Sequence, residues 1–211
     1  MKKLFLTVAI LLGCNMLSMA QNYQTTDSKV SWNVKAGMNI SNWTGDGSDG
    51  SKAKVGFKVG AGMEYALDNT WSLQPSLFLT SKGAKGGDGD TKATINQVYL
   101  ELPVNLQARV PVADKTNILF AAGPYFAYGV GGKISGGASI DGVDYSVSTN
   151  TFGKNRFKRF DAGLGLGVSL EMSKVIVGLE GQLGLTKIGD GIMSDGSPKN
   201  INFGVTVGYK F

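Results

Sequence analysis

A strict alternation of apolar and polar residues closes the chain, where residues 201–211 read INFGVTVGYKF. Successive side chains of a β-strand point to opposite faces, so this pattern predicts a strand with one wholly apolar face. Soluble edge strands avoid a long, flat and exposed apolar face because it promotes aggregation. A strand of a membrane-spanning barrel needs such a face, about 9–11 residues long, against lipid. The closing stretch therefore favours a strand that crosses a bilayer.

The same alternation recurs along the chain and defines eight predicted strands, at residues 30–40, 55–65, 71–80, 94–110, 118–130, 159–170, 175–185 and 201–211. The connections between them alternate between long and short. An even strand number with this asymmetry is typical of an outer-membrane barrel that has short periplasmic turns and longer external loops. We therefore predict an all-β fold, an eight-stranded antiparallel up-and-down transmembrane β-barrel, that spans residues 30–211 without an internal domain boundary.

The alternation alone does not say which face meets lipid, since a soluble lipocalin-type barrel alternates with its apolar side inward. The apolar sets hold no ionised residue, and aromatic residues gather at the strand ends, where the interfacial girdles of membrane barrels lie. These features favour the lipid-facing interpretation. The charged residues predicted to point into the lumen are Lys35, Lys58, Glu64, Glu101, Arg109, Asp161, Glu180 and Lys210. They indicate either ion pairs that fill a narrow interior or a pathway for protons or small solutes.

Three local features qualify this scheme. Pro75 cannot donate to a strand ladder, so we expect a bulge or disturbed pairing there. Ile95 is out of phase with the apolar set of its strand, which predicts a bulge near residues 96–97. The longest loop, residues 131–155, contains an alternating patch at 140–147 that predicts a small hairpin. Its apolar residues are expected either to pack over the barrel mouth or to face a partner.

The N-terminus has the form of a secretory signal peptide over residues 1–20. Two lysines precede an apolar stretch, and small residues at Ser18 and Ala20 predict cleavage after Ala20. A polar lead-in, residues 21–29, follows. An alternative interpretation reads Cys14 as the lipid-modified residue of a lipoprotein. Cleavage after Ala20 leaves an exported chain without cysteine, which suits a closed barrel whose backbone groups are all paired.

Composition argues against several classes of function. The chain contains no histidine, so a Ser-His catalytic arrangement is impossible, and we expect no enzymatic activity. Signal cleavage leaves 19 basic and 16 acidic residues, too small an excess to predict nucleic-acid binding. We expect no cofactor and no metal site. Asp88 and Asp90 offer oxygen ligands for calcium, but Asp-Gly pairs are also ordinary turn chemistry.

The chain resembles the outer-membrane β-barrel proteins known as PorT-like or porin-family proteins, over essentially its mature length. The segments that carry the resemblance are KAGMNISNW, VGFKVGAGMEYALDNTWSLQPSLFLTSKGAK, YLELPVNLQARV and AAGPYFAYGVGG. The closing GVTVGYKF is similar to the terminal assembly signal of such barrels, with Thr206 where that signal usually has glycine. The resemblance implies a location in the outer membrane of a Gram-negative bacterium and a barrel architecture. It implies little about activity.

Together these patterns predict an integral outer-membrane barrel with a structural or surface-interaction role through four external loops. The alternatives are a narrow channel for ions or very small solutes and a helper in secretion or outer-membrane assembly. The expected partners are outer-membrane lipid and the barrel-assembly machinery, the latter through the terminal strand that ends at Phe211. The ligand of the loops is not indicated by the sequence.

Overall fold

The structure is a computed structural model that describes residues 29–87, 91–140, 143–153, 156–189 and 197–211. The predicted signal peptide, Cys14 and most of the lead-in lie outside the described residues. Among the described residues, no helix is long and apolar enough to cross a membrane.

Ten β-strands make up the described chain. They are β1 (Val30–Thr44), β2 (Lys54–Ala66), β3 (Trp71–Gly86), β4 (Thr91–Ala113), β5 (Thr116–Gly131), β6 (Lys133–Ile140), β7 (Val143–Asn150), β8 (Phe160–Met172), β9 (Val175–Gly184) and β10 (Lys199–Lys210). Eight of them overlap the eight predicted strands, and β6 and β7 lie within the longest predicted loop.

The eight predicted strands close into a ring. Each of β1–β5 and β8–β10 pairs in antiparallel fashion with its two neighbours, β10 with β1, and the β3–β4 pairing completes the circuit. The β5–β8 pairing bridges the segment that holds the two additional strands. Closure leaves no unpaired edge within the ring, the condition for exposing strands to lipid. The predicted eight-stranded antiparallel barrel is therefore confirmed.

The alternating apolar residues of the eight barrel strands lie on the outside of the barrel. Met38, Leu166 and Phe203 are 64, 69 and 61% exposed, and each neighbours an inward polar or glycine residue. The inward residues are largely polar, and Lys58 and Glu101 are almost completely buried. A polar interior inside an apolar wall is the inverse of a soluble barrel, so the lipid-facing interpretation of the alternation is confirmed.

Strands β3 and β4 extend beyond the predicted wall, which corrects the expectation of a loop at residues 81–93. β3 continues to Gly86, and β4 begins at Thr91. The extension pairs Lys82 with Gln97 and Gly86 with Ala93. Apolar alternation stops near Leu79 because the outward residues above it no longer face hydrocarbon, whereas backbone pairing continues.

The two expected irregularities take different forms from those predicted. The β2–β3 register is the same on both sides of Pro75, and pairing is only interrupted between Gly62–Ser76 and Tyr65–Leu73. The expected disturbance of strand pairing near Pro75 is thus confirmed, and the β2–β3 pairing contains no bulge there. The second irregularity lies between Val98 and Tyr99, where the β4–β5 register shifts. No shift occurs at residues 96–97, where the pairing with β3 is continuous. Ile95 differs in phase from the outward apolar residues because it points inward and packs against buried residues at the loop-side end of the barrel.

The hairpin predicted within residues 131–155 is present but larger than the expected patch at 140–147. Its strands β6 and β7 pair over eight positions, and β6 also pairs with the start of β4. The sheet therefore continues past the barrel rim on the loop side. This gives the loop side an extended β-structure in place of a flexible loop.

Candidate functional site

The candidate functional site is the lumen and its loop-side mouth, where buried charges and aromatic residues converge. At its centre, the Glu101 carboxylate lies 2.7 Å from Lys82 Nζ and 3.2 Å from Lys58 Nζ. Lys58 Nζ also lies 2.6 Å from Glu180, and Gln182 Nε2 donates to Glu101 Oε1 at 2.8 Å. These contacts join β2, β3, β4 and β9 across the lumen. We call this group the central network.

Asp161 extends the central network towards the loop side. Its carboxylate accepts hydrogen bonds from Tyr125 Oη at 3.3 Å, Asn200 Nδ2 at 2.9 Å and Thr186 Oγ1 at 3.0 Å. Lys82 Nζ lies 3.8 Å away. A buried carboxylate is stable only when such partners replace its lost hydration. The aspartate is therefore a fixed structural charge that ties β8 to β3, β5 and β10.

A second ionic group closes the lumen at the turn side. Arg109 bridges Glu64 and Glu171, with nitrogen–oxygen distances of 2.6 Å to each. Lys210 contacts the same two carboxylates at 2.9 and 3.3 Å, and Asn117 Nδ2 donates to Glu171 at 3.0 Å. Two cations meet two carboxylates, so the group carries no net charge. We call it the turn-side network.

Between the two networks lies a small cavity of about 50 Å³. Lys35, Glu180 and Gly165 are among its lining residues. A cavity of this size holds only a few water molecules. Filled ionic layers above and below it are expected in an eight-stranded barrel, whose interior is wide enough only for packed side chains.

The loop-side mouth is sealed by apolar residues rather than by charges. The buried cluster there consists of Trp43, Ala84, Tyr99, Tyr125, Ala127, Phe152, Phe157 and Ile188. Trp43 packs on Phe157 with ring centroids 5.2 Å apart, and Tyr99 meets Phe152 edge to face at 5.5 Å. Phe152 and Phe157 come from the plug segment, defined as residues 151–153 and 156–158. This segment turns back into the barrel mouth and caps the lumen, and we call the whole buried cluster the lid.

Polar contacts hold the plug segment in place. Thr151 Oγ1 donates to the Asn96 carbonyl at 2.6 Å, and the Lys158 amide donates to the Ile188 carbonyl at 2.9 Å. Arg159 adds a hydrogen bond to the Gly129 carbonyl at 2.6 Å, and its guanidinium lies 5.4 Å from the Phe152 ring centroid. The segment is thus fastened to β4, β5 and the strand end beyond β9.

The lid and the central network contact each other through Lys82. Its ammonium lies 4.2 Å from the centroid of Tyr125 and 5.8 Å from that of Tyr99. A desolvated cation above an aromatic face gains electrostatic energy. Lys82 therefore couples the ionic interior to the aromatic lid, in addition to the hydrogen bond from Tyr125 of the lid to Asp161.

Gly129 provides a direct test of the plug. A Cβ added there would lie 2.4 Å from the Phe152 ring, so Gly129→Val is expected to force Phe152 out of the mouth at a cost of about 1–3 kcal/mol. Trypsin should then cleave the folded variant faster than wild type at Arg156, Lys158 or Arg159. Gly131→Ala is the control, since a Cβ added there would have no atom within 4 Å and cleavage should not change. Equal cleavage of wild type and Gly129→Val would show that Phe152 does not hold the plug.

The turn-side mouth carries a separate open depression of about 300 Å³. Lys29, Asp68 and Trp71 line its rim above the turn-side network. The amides of Thr70 and Trp71 both donate to Asp68 Oδ1 at 2.7 Å, and these hydrogen bonds, that of Trp71 first, lower the pKa of the carboxyl group. Asp68 is a turn-forming residue, and its negative charge persists at neutral pH.

All eight charged residues predicted to point inward do so. The structure brings seven of them into two separate networks, and the eighth, Lys35, lines the cavity between the networks. Two further members were missed. Lys82 lies beyond the predicted strand at 71–80 and Glu171 beyond that at 159–170, yet both are buried. The alternation of β3 is the signal for Lys82, which shares its face with the inward Phe78 and Thr80. The plug segment had no such signal, because Phe152 and Phe157 do not belong to a regular alternation.

The candidate calcium ligands Asp88 and Asp90 lie outside the described residues. Within the ranges that the structure describes, no three Asp, Glu, His or Cys residues are grouped so as to hold a metal ion. The buried carboxylates instead have lysine, arginine and amide partners.

Comparison with known proteins agrees with this geometry. Residues 19–190 match the family model described as "Outer membrane protein beta-barrel domain". A search of curated proteins finds no match.

Several solved structures are similar to the chain at low identity. Ail, the attachment invasion locus protein of Yersinia pestis, is 16% identical, with a TM-score of 0.42 over 86% of this chain and 98% of Ail. The Neisserial surface protein A is 11% identical, with a TM-score of 0.47 over 87% of this chain and 98% of that protein. OprG of Pseudomonas aeruginosa is 13% identical, with a TM-score of 0.46 over 86% of this chain and 95% of OprG.

Proposed function

Because the chain belongs to the outer membrane protein beta-barrel domain family, we propose that it is a non-enzymatic surface-interaction barrel of the outer membrane and not an open channel. The observation that carries this proposal is the sealed lumen. The turn-side network, the central network and the apolar lid occupy three successive levels of the interior. A continuous water path would have to break paired buried charges or expel aromatic rings.

The proposed interaction surface is the β-structure beyond the loop-side rim. Binding residues often lie on segments that a rigid scaffold holds in position. Of the apolar residues in the long loop, Phe152 packs in the lid, and Ile134 is partly buried against it. Val147 on β7 is 73% exposed, so an apolar side chain is presented to the exterior. Ile140, Val143 and Tyr145 have side chains outside the described set.

Conductance in planar bilayers tests the closed lumen. We expect no stable channel from wild-type protein, because the Arg109 and Glu101 networks fill the interior between the two mouths. A reproducible conductance that is altered by substituting Glu101 or Lys82 would establish a channel instead. Detergent alone, carried through the same preparation, provides the baseline.

The turn-side depression favours a second candidate, a periplasmic helper role in secretion or outer-membrane assembly. Trp71 and Lys29 at its rim offer an aromatic and a charged contact to a periplasmic partner. Cross-linking from a photoreactive residue at Asn69 in living cells would capture a secretion component if this role is correct. A matched site at Ser148 on the loop side should not capture it.

Export and assembly complete the proposal. We infer that residues 1–20 are removed as a signal peptide and that the barrel-assembly machinery recognises the terminal strand ending at Phe211. Phe211 is partly exposed beside Tyr209, with ring centroids 5.4 Å apart, so the aromatic end of β10 is available on the outer wall.

A further inference from the structure

Three lysines occupy adjacent positions on the loop-side rim. The Lys158 amide donates to the Ile188 carbonyl at 2.9 Å, and the Ile188 amide donates to the Pro198 carbonyl at 3.0 Å. This backbone row joins the ends of β8, β9 and β10. Lys187 and Lys199 each lie one residue from it. Neighbouring strands are about 4.8 Å apart, so the three lysines lie side by side on the barrel wall.

All three lysines point away from the lumen. Phe157, Ile188 and Pro198, which are their sequence neighbours, are buried on the inner side. Lys199 lies in β10, where side chains alternate between the two faces, and Lys158 and Lys187 are themselves exposed beside buried neighbours, so all three lie on the outer wall. Lys158 and Lys187 are exposed and Lys199 is half-buried. Within the described part of the chain, none of the three forms an ion pair with a carboxylate.

The three lysines lie at the same distance along the chain from the apolar, lipid-facing part of the barrel wall. Each lysine is two residues beyond the last apolar residue of its outward set, which is Phe160 on β8, Leu185 after β9 and Ile201 on β10. Two residues of strand span about 7 Å. An ammonium on a flexible stem at this height reaches the headgroup region while its methylenes remain against lipid.

The row is confined to one side of the barrel. On the other five barrel strands, the corresponding positions hold uncharged residues, which are Asn42, Ala53, Ser81, Asn96 and Gly132. Lys85 and Lys92 face outward only further from the apolar band, six residues beyond Leu79 and Val98. The local concentration of charge at headgroup level is therefore a feature of β8–β10.

We propose that Lys158, Lys187 and Lys199 bind the phosphate groups of a lipid headgroup in the outer leaflet. Lysine is a compact cation that binds phosphate oxygens through charge-assisted hydrogen bonds. The apolar residues directly below the row would hold the acyl chains of the same lipid. This inference uses the loops-outside orientation of the proposed function only to place the lipid in the cell, because binding in detergent does not depend on orientation.

The test uses purified full mature barrel in non-ionic detergent, titrated with phosphorylated lipid A and with the same lipid A after removal of its phosphates. Native mass spectrometry measures the apparent Kd. Wild type is expected to prefer the phosphorylated form. Combining Lys158→Gln, Lys187→Gln and Lys199→Gln should weaken that binding on the order of a hundredfold, if each cation near an anionic headgroup contributes as basic residues at membrane surfaces do.

The matched control combines Lys85→Gln, Lys92→Gln and Lys133→Gln, which remove the same charge from exposed loop-side positions on β3, β4 and β6. It should retain the wild-type preference. Equal binding of both lipids by wild type, or an equal loss in the control, would overturn the proposal. Should the triple variant fail to fold, Lys187→Gln alone is expected to weaken binding about fivefold, and no change there would have the same meaning.

Discussion

Glu101→Ala is expected to destabilise the folded barrel by about 3–5 kcal/mol, the usual cost of leaving a buried charge without its partner. The carboxylate neutralises Lys82 and Lys58, and Glu101 and Lys82 are both inaccessible to solvent. Its removal leaves Asp161, at 3.8 Å, as the carboxylate nearest to Lys82 among the described residues. The measurement is the folded fraction in a urea titration, read from the different migration of unboiled and boiled protein.

Two variants separate this effect from a general loss of charge. Asp114→Ala removes an exposed carboxylate in the turn after β4 and should leave the urea midpoint unchanged. Combining Glu101→Leu with Lys82→Met removes both charges and should recover much of the stability, as apolar replacements of buried ion pairs often do. Wild-type stability of Glu101→Ala would mean that the central network does not hold the barrel together.

Leu166→Arg is expected to cost about 2–4 kcal/mol, the penalty for a cation on the lipid face of a barrel near the bilayer midplane. Leu166 is the middle residue of β8 and 69% exposed, between Ala122 on β5 and Gly181 on β9. The arginine cannot reach either headgroup region without distorting the strand. Folding yield into lipid vesicles, followed by the migration difference, measures the loss.

Two control variants on β8 test separately whether the effect of Leu166→Arg depends on membrane depth and on the outward face. Met172→Arg lies on the same outward face at the turn-side end, where the cost falls to about 0–1 kcal/mol. Gly165→Ala changes the inward neighbour, and its new Cβ would lie 3.6 Å from the nearest atom, so the lumen accommodates it. If Leu166→Arg and Met172→Arg fold equally well, β8 does not cross the bilayer as described.

The barrel wall was predictable because lipid and lumen impose opposite chemistry on alternate residues. Leu164, Leu166 and Val168 alternate with Gly163, Gly165 and Gly167, and this period fixes both the strand and its faces. Beyond the bilayer the outward face of a strand no longer needs apolar residues. The apolar alternation that identifies β3 therefore ends at Leu79. The backbone pairing continues beyond that point, so Lys82 belongs to the interior although it lies outside the predicted strand.

The lid was not predictable from periodicity. Trp43, Tyr99 and Phe157 come from three distant parts of the chain and meet only once the barrel is closed. Most members of the two networks were predictable as inward charges, but their separation into layers depends on strand register, which the sequence pattern does not specify. The basic row at Lys158, Lys187 and Lys199 depends on that register as well.

Cysteine labelling on intact cells tests the central claim, that the chain is an outer-membrane barrel with its hairpin side outside. Ser148→Cys lies exposed on β7, and Asp114→Cys lies exposed in a turn at the opposite end. A membrane-impermeant thiol reagent should label Ser148→Cys in intact cells and Asp114→Cys only after lysis. Labelling of Asp114→Cys in intact cells, with Ser148→Cys protected until lysis, would contradict the orientation and the surface role that depends on it.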